Sequence, residues 1–290
     1  MVILCFTTIL IFINLILKSE ASIYKDKYLL NQPKSKDFEI IDIYFRPYSC
    51  FTQGLLFDQS RRQLTESCGW QGDSKALFTK FDEQTSQVLL DTQVNMEKNH
   101  FGEGITILNQ DKYLAMTWKD RVFYMMDRQT LKILSTEAIP NEIKEGWGAT
   151  SNGTYVFITD GSEFIHFVDP SSLQVLKSLK VVSQKGTPIR NLNELEYFKD
   201  KTNGKDFIWT NIFLQDSIAK IDLETGMIIK RVNLKVLSDV QEAYIKETNP
   251  RLVGYDKFNS VLNGIAYDEI EDVFYITGKR WSFIFKVKLF

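Results

Sequence analysis

The sequence predicts an all-β chain that folds as a five-bladed β-propeller. After Lys27 the chain consists of short runs rich in β-branched and aromatic residues, separated by turn residues. Many short strands with regular turn signals are typical of sandwiches, barrels and propellers. Two internal repeats decide among these architectures in favour of the propeller.

The first repeat is a strand that ends in aspartate, followed by a turn and a second strand. The aspartate, and the Thr or Ser two or three residues later, can bond the turn backbone through their side chains. We interpret each copy as the outer two strands of a blade. The copies are FDEQTSQVLLDTQV at Asp82, MDRQTLKILSTEAI at Asp127, VDPSSLQVLKSLKV at Asp169 and IDLETGMIIKRVNL at Asp222.

The second repeat is the start of the innermost strand of each blade. The starts are FTQGLLFD at Gly54, FGEGITIL at Gly104, GWGATSNG at Gly148, NELEYF at Leu195 and NGIAYD at Gly264. Their spacing of roughly 45 to 70 residues matches four-stranded blades. The last blade has only three strands of its own. We therefore expect FEIIDIYF, residues 38–45, to pair with the C-terminal strand FIFKVKL, close the ring and protect an open edge.

The N-terminus has the pattern of a targeting segment. Residues 1–17 are almost wholly apolar, are short for a bilayer span, and are followed by a small-x-small pattern that ends at Ala21. We expect a signal peptide over residues 1–21, with an uncleaved anchor as the alternative because no Lys or Arg precedes the apolar run. Residues 22–37 would then be a linker and residues 38–290 a single propeller domain. The protein would be secreted or lie in the secretory-pathway lumen, with no membrane contact after cleavage.

Composition limits the classes of partner and ligand that the protein is expected to bind. A formal net charge of −2 argues against a nucleic-acid partner, which normally meets a basic face. With two histidines, His100 and His166, and no CxxC, a zinc site is disfavoured, and we expect no metal, no cofactor and a monomer. Cys50 and Cys68 could form a disulfide or remain two buried thiols, since the sequence does not give their separation.

The inner-strand starts converge at one mouth of the central channel of a propeller. They bring together a carboxylate, amides and an indole, which predicts a polar site with an aromatic wall. The converging residues are Gln53, Glu103, Trp147, Asn193 or Glu194, and Asn263. One helix, LSDVQEAYIKE, is predicted within the long stretch from Lys235 to Ser260.

Nine segments, in the same order, resemble the plant and bacterial glutaminyl cyclases, or glutaminyl-peptide cyclotransferases. The resemblance spans nearly the whole chain after the targeting segment. It implies a five-bladed propeller and an acyltransferase that converts the N-terminal glutamine of peptides or proteins to pyroglutamate and releases ammonia. The segments are FTQGL at 51–55, ESCGWQGDS at 66–74, FGEGIT at 101–106, MTWK at 116–119, EGWGAT at 145–150, TDGS at 159–162, LNELE at 192–196, NGIAYD at 263–268 and TGKRW at 277–281.

The resemblance also implies roles for polar residues. Glu103 takes the place of the proton-shuttling glutamate, and the glycines on both sides allow close approach of a substrate. Gln53 and Lys279 match pocket positions from which either could donate to the γ-carbonyl oxygen or hold Glu103. A lysine beside Glu103 would favour its ionised form. Asn193 would bind the amine or amide of the substrate.

Aromatic residues would form the wall of the pocket. Phe51, Phe101, Trp118 and Trp147 match wall positions of the family. In one departure, TNIF places Phe213 where the family usually has tryptophan. Phenylalanine keeps a flat apolar face but lacks the indole N–H donor, so we expect a different substrate preference or affinity.

Each of these residues also has a purely structural interpretation. Glu103 could hold backbone between blades, Asn193 could be a turn residue, and the aromatic residues could be core. Two other functions remain open. One is a non-catalytic propeller that binds peptide N-termini or a protein partner, because a fold alone does not fix a function. The other is a metal-dependent hydrolase, which the scarcity of histidine disfavours.

Overall fold

The computed structural model describes residues 20–29, 35–248 and 259–290. This part of the chain contains twenty strands and two helices, which confirms the predicted all-β class. Most of the predicted signal peptide, residues 1–19, lies outside the described residues. No helix in the described ranges combines the length and the apolar character that crossing a membrane requires.

The strands are short and follow one another closely along the chain. They are β1 Phe38–Phe45, β2 Thr52–Asp58, β3 Gln63–Cys68, β4 Lys75–Asp82, β5 Gln87–Asn95, β6 Gly102–Ile107, β7 Lys112–Thr117, β8 Val122–Asp127, β9 Ile133–Ala138, β10 Ala149–Ser151, β11 Val156–Thr159, β12 Phe164–Val168, β13 Val175–Lys180, β14 Leu192–Lys199, β15 Asp206–Ile212, β16 Ser217–Asp222, β17 Ile228–Asn233, β18 Leu262–Asp268, β19 Val273–Gly278 and β20 Phe283–Leu289.

Most neighbouring strands are antiparallel and consecutive in the chain. Strands β6 to β9, β10 to β13 and β14 to β17 form three four-stranded sheets. The remaining eight strands form one sheet in the order β18-β19-β20-β1-β5-β4-β3-β2. Within it β1 pairs antiparallel with β20, from Phe38 opposite Leu289 to Phe45 opposite Phe283. Its other neighbour, β5, meets it only at one parallel bridge between Phe45 and Gln87.

Five strands, each of which begins a run of consecutive antiparallel strands, contact one another in a closed cycle: β2 to β6, β6 to β10, β10 to β14, β14 to β18 and β18 to β2. We call these five the first strands. Glycine permits this close approach. A Cβ atom on Gly104 would lie 2.6 Å from the backbone nitrogen of Ala149, and one on Gly148 would lie 2.0 Å from the backbone oxygen of Asn193. The starts of the first strands are therefore gathered around one axis.

Burial differs between the first strands and the outer strands. Every residue of β2 and β18 is buried, whereas β9 and β13 are mostly exposed. Strands β2 and β18 are therefore covered on both faces although each contains polar residues, whereas β9 and β13 face solvent.

The repeated aspartates hold the turns between the outer strands. Asp82 Oδ1 accepts hydrogen bonds from the backbone nitrogens of Gln84 and Thr85 at 3.0 and 3.2 Å. The aspartates at 127, 169 and 222 accept the same two bonds from the residues two and three positions later. The predicted role of this repeat is confirmed.

Two helices lie together against the sheet that contains β1. Helix α1, Glu20–Leu29, falls in the segment expected to be a linker, and α2, Lys235–Thr248, extends beyond the predicted LSDVQEAYIKE at both ends. The ring of Tyr24 packs edge-on against Tyr244 of α2 at 4.9 Å, and α1 also contacts β1.

Candidate active site

A cavity of about 360 Å³ opens at the end of the molecule where the first strands begin. All nine residues to which the family resemblance assigns a catalytic or substrate-binding role line it, together with Trp70 and Asn259. The described residues that line the cavity are Phe51, Gln53, Trp70, Phe101, Glu103, Trp118, Trp147, Asn193, Phe213, Asn259 and Lys279.

Antiparallel pairing explains why residues far apart in sequence meet here. The start of the first strand and the end of the second strand of a sheet lie at the same edge. Phe51 and Trp147 precede the first strands β2 and β10, whereas Trp118, Phe213 and Lys279 follow the second strands β7, β15 and β19. A first strand and the second strand paired with it can therefore contribute two short segments to the cavity, one before the first strand and one after the second.

The aromatic wall is made of two groups of rings in edge-to-face or tilted contact. Phe51 and Phe101 have ring centroids 6.1 Å apart, and Phe101 and Trp118 lie 5.8 Å apart. On the other side Trp147 and Phe213 lie 6.0 Å apart. These distances are within the range in which aromatic pairs attract one another, so each ring supports the next.

Glu145 joins the two groups of rings on one side. Its Oε2 accepts a hydrogen bond from Trp118 Nε1 at 2.6 Å and another from Trp147 Nε1 at 3.1 Å. One half-buried carboxylate therefore fixes the orientation of two indoles in the wall.

Lys279 joins the two groups on the other side. Its Nζ lies 5.0 Å from the ring centroid of Phe51 and 5.1 Å from that of Phe213. Burial lowers the pKa of Lys279, and the nearby Glu103 carboxyl partly offsets this effect. The ammonium group is thus held between two aromatic faces within the cavity lining.

Glu103 is the buried carboxyl of the cavity, with 5% of its surface exposed. Gln53 Nε2 donates a hydrogen bond to Glu103 Oε1 at 3.0 Å. Burial raises the pKa of Glu103 well above its usual range, Lys279 lowers it, and Glu145 raises it further. The sequence predicted that a lysine would favour the ionised form of Glu103. Lys279 does lower the pKa of Glu103, but desolvation of the buried carboxyl raises it by more.

Two amide side chains provide further polar groups in the cavity. Gln53 Oε1 is buried and accepts no hydrogen bond from any residue in the described ranges. Asn193 lines the same cavity, and its backbone oxygen accepts a hydrogen bond from Thr159 Oγ1 at 2.7 Å. A buried acceptor without a partner is costly, so a donor on a bound substrate would be favoured at Gln53.

A disulfide holds the segment that carries Phe51. Cys50 and Cys68 are bonded, with Cα atoms 5.1 Å apart, which settles the alternative left open by the sequence. Glu66 lies beside the two sulfur atoms, and the three form a cluster of potential metal ligands. Bonded sulfurs are not thiolates, however, and thiolates are the form that binds metal.

Two residues expected at the mouth do not line the cavity. Asn263 Nδ2 donates to the backbone oxygen of Thr52 at 2.9 Å. Glu194 accepts from the backbone nitrogens of Leu55 and Ile265 at 3.2 and 2.8 Å. Both stabilise the backbone of neighbouring first strands, which need polar partners where glycine and bulges interrupt the ladder.

The sequence reasoning missed Trp70 and Asn259 as lining residues. Trp70 follows Cys68, the last residue of the second strand β3, so the same edge rule that places Trp118 would have placed it. Asn259 lies in a long connection, where neither strand periodicity nor the internal repeats gave a signal.

The cavity defines a class of site: a buried carboxyl at the base of an aromatic enclosure, suited to acid–base chemistry on a small polar group. A family model described as glutamine cyclotransferase matches residues 9–289. The chain belongs to the glutamine cyclotransferase family, as the nine sequence segments predicted.

Two relatives illustrate this membership. The glutaminyl-peptide cyclotransferase of Arabidopsis thaliana is 28% identical over 253 residues, which cover 87% of this chain and 71% of the relative. The crystal structure of the glutaminyl cyclase of Myxococcus xanthus matches with a TM-score of 0.71 and 25% identity, covering 87% of this chain and 96% of that one.

Proposed function

We propose that the protein is a glutaminyl-peptide cyclotransferase, an acyltransferase that converts the N-terminal glutamine of peptides or proteins to pyroglutamate and ammonia. The observation that carries the proposal is the buried Glu103, oriented by Gln53 inside a cavity of about 360 Å³. Family membership and the name of the Arabidopsis relative support the same reaction.

Glu103 serves as the proton shuttle in this mechanism. Its carboxylate takes a proton from the substrate α-amine as the amine nitrogen attacks the γ-carboxamide carbon and forms the ring C–N bond. The protonated carboxyl then returns that proton to the departing amide nitrogen as the old C–N bond breaks, so ammonia leaves and Glu103 is regenerated. The raised pKa of Glu103 brings it towards the pKa of an α-amine, about 7.7–8.0, which favours transfer in both directions.

The neighbouring residues bind and orient the substrate. Lys279 stabilises the oxyanion that develops on the γ-carbonyl oxygen, and the second N–H of Gln53 Nε2 is a further donor, because only the first is bonded to Glu103. Gln53 Oε1 and Asn193 accept from the amine or amide. The aromatic wall encloses the methylenes, excludes competing water and holds the amine close to the carboxamide carbon.

A five-bladed propeller closed by the N-terminal strand is the architecture that we propose for residues 38–290. The eight-stranded sheet is counted as two blades, because β1 and β5 share only one bridge. In this arrangement β1 supplies the fourth strand of the last blade. The closed cycle of contacts among the five first strands supports the count.

We propose that the protein is secreted or lies in the lumen of the secretory pathway after removal of residues 1–21. The Cys50–Cys68 disulfide supports this location, since disulfides persist in oxidising compartments. The working form would be a metal-free monomer that acts on peptides and does not bind nucleic acid. Detection of an uncleaved N-terminus in the mature protein would favour the anchor alternative.

One assay separates catalysis from simple peptide binding. The purified protein is incubated with a Gln-initiated peptide, with and without a chelator, and the peptide is followed by mass spectrometry. Loss of one ammonia per peptide, undiminished by the chelator, is the expected result. Binding without mass loss would favour a non-catalytic propeller, and activity abolished by chelation would favour a metal-dependent mechanism.

A further inference from the structure

Arg280 places a guanidinium group at the mouth of the cavity. Its Cζ lies 4.2 Å from the ring centroid of Trp70 and 5.5 Å from that of Phe51. Both rings line the cavity, and Trp70 is 44% exposed, so the stacked pair lies where the cavity opens to solvent. A guanidinium that stacks on a ring keeps the N–H donors at its edge free to bind an acceptor.

The backbone of Arg280 is held in place. Its nitrogen donates a hydrogen bond to the backbone oxygen of Cys50 at 2.8 Å, and Cys50 is tied to Cys68 by the disulfide. The residue has a φ of 59°, in the left-handed region, within the turn between β19 and β20. The backbone from which the guanidinium extends is thus a short turn directly after Lys279, hydrogen-bonded to the disulfide-bonded Cys50.

A second cation lies at the other end of the same aromatic row. The rings of Trp70, Phe51, Phe101 and Trp118 follow one another at 5.5, 6.1 and 5.8 Å between centroids. The exposed Lys119 has its Nζ 4.1 Å from the ring centroid of Trp118. The row is therefore flanked by a positive charge at each end.

Three carboxylates of the segments around the aromatic row have hydrogen-bond or ion-pair partners of their own. Glu145 accepts from two indoles, Asp120 accepts from a backbone nitrogen at 2.8 Å, and Asp73 pairs with a lysine at 2.9 Å. Within the described ranges, no carboxylate forms an ion pair with Arg280 or Lys119. Arg280 and Lys119 are therefore two cations without an ion-pair partner among the described residues, at the ends of one aromatic row.

We propose that Arg280 is a specificity-determining residue that binds a carboxylate of the substrate close behind its N-terminal glutamine. This inference rests on the proposed function. If the glutamine side chain reaches Glu103, the rest of the peptide leaves through the mouth past Trp70 and Arg280. The preferred substrates are then peptides with Asp or Glu at the second or third position, or short peptides whose free carboxyl terminus lies there. Planar, bidentate contact with a carboxylate is the binding mode for which guanidinium is best suited.

The test compares kcat/KM for four peptides on the full protein: C-terminally amidated Gln-Glu-Ala, Gln-Ala-Ala and Gln-Lys-Ala, and Gln-Ala-Ala with a free carboxyl terminus. We expect the glutamate peptide to exceed the alanine amide by about three- to tenfold at low salt. The lysine peptide should be the poorest, and raising the salt concentration should reduce the differences. The free-acid peptide shows whether a terminal carboxylate serves as well as a side chain.

Two variants assign the preference to Arg280. Arg280→Met keeps a long side chain without charge and should reduce the glutamate-to-alanine ratio to near one, with Arg280→Gln as a second uncharged variant. The matched control is Lys177→Met, which also removes one cation stacked on a ring, 4.2 Å from the centroid of Phe167, but outside the cavity lining. This control should keep the preference of the unmodified protein.

The outcomes are distinguishable from those that test the function itself. Equal kcat/KM for the alanine amide, the glutamate amide and the free-acid peptide would overturn the inference while leaving cyclisation intact. A preference that survives in both Arg280 variants would overturn the assignment to Arg280. If no peptide is cyclised at all, the proposed function fails, and the inference fails with it.

Discussion

Gln53 donates a 3.0 Å hydrogen bond from Nε2 to Oε1 of Glu103, and this bond joins the starts of two neighbouring first strands. Since Gln53 belongs to β2 and Glu103 to β6, the packing of two sheets fixes the orientation of the buried carboxyl. One carboxylate oxygen of Glu103 accepts this bond, and Gln53 Oε1 accepts no hydrogen bond from the described residues. In the proposed mechanism, the second oxygen of Glu103 takes the amine proton and Gln53 Oε1 accepts a hydrogen bond from the substrate.

The aromatic wall gives the first prediction. Trp147→Ala should raise KM strongly while the fold is retained, because a large enclosed ring that contacts the substrate is lost. The expected cost is about 3 kcal/mol, roughly a hundredfold in KM. Trp147→Phe is the control and should recover part of the loss. Steady-state kinetics and a melting curve check both variants, and an unchanged KM in folded Trp147→Ala would remove Trp147 from the substrate site.

Glu145 gives a prediction about pH. The groups that act on the Glu103 carboxyl are Gln53 by hydrogen bonding, Lys279 by attraction and Glu145 by repulsion. Glu145→Gln removes the repulsion, so the pKa of Glu103 should fall. Since Glu103 must be ionised to accept the amine proton, the rising limb of the kcat–pH profile should move to lower pH.

The control for this experiment is an exposed glutamate in the connection between β9 and β10, which also carries Glu145. Glu142→Gln removes an equal charge, and Glu142 is not among the groups that shift the pKa of Glu103. Its pH profile should match that of the unmodified protein. A Glu145→Gln profile that also matches would show that Glu145 only orients the two indoles.

A buried ion pair gives a prediction about stability. Arg46, next to β1, pairs with Glu66 of β3, and both side chains are almost fully buried. Arg46→Met leaves a buried carboxylate without its cation, which should lower the free energy of unfolding by about 3–5 kcal/mol. The double variant Arg46→Met/Glu66→Gln should recover most of that loss in urea unfolding. A single variant within about 1 kcal/mol of the unmodified protein, as for an exposed pair, would contradict the account.

Local patterns in the sequence predicted the elements that depend on neighbouring residues. The aspartate of each repeated turn bonds residues two and three positions later, so Asp82 and its counterparts could be recognised without tertiary information. The convergence of Glu103 and Trp147 could also be predicted, because the repeat gives the start of every first strand and those starts share one edge.

Features that depend on distances across the fold could not be predicted. The sequence does not give the Cα separation of Cys50 and Cys68, so their pairing stayed open. The pKa direction of Glu103 depends on how much water is excluded around it, which no local pattern gives. Asn263 lies at an inner-strand start like Gln53, but its side chain bonds backbone instead of facing the cavity.

The measurement that tests the mechanism most directly is the kinetics of Glu103→Gln. The amide preserves size and hydrogen-bonding reach but cannot accept the amine proton and return it to the leaving group. We predict that kcat and kcat/KM fall together by about 10²–10⁴-fold while peptide binding is nearly unchanged. Glu142→Gln, at an exposed glutamate outside the cavity lining, should retain activity. If folded Glu103→Gln keeps more than about a tenth of the kcat, well short of the usual acid–base effect, Glu103 is not the proton shuttle.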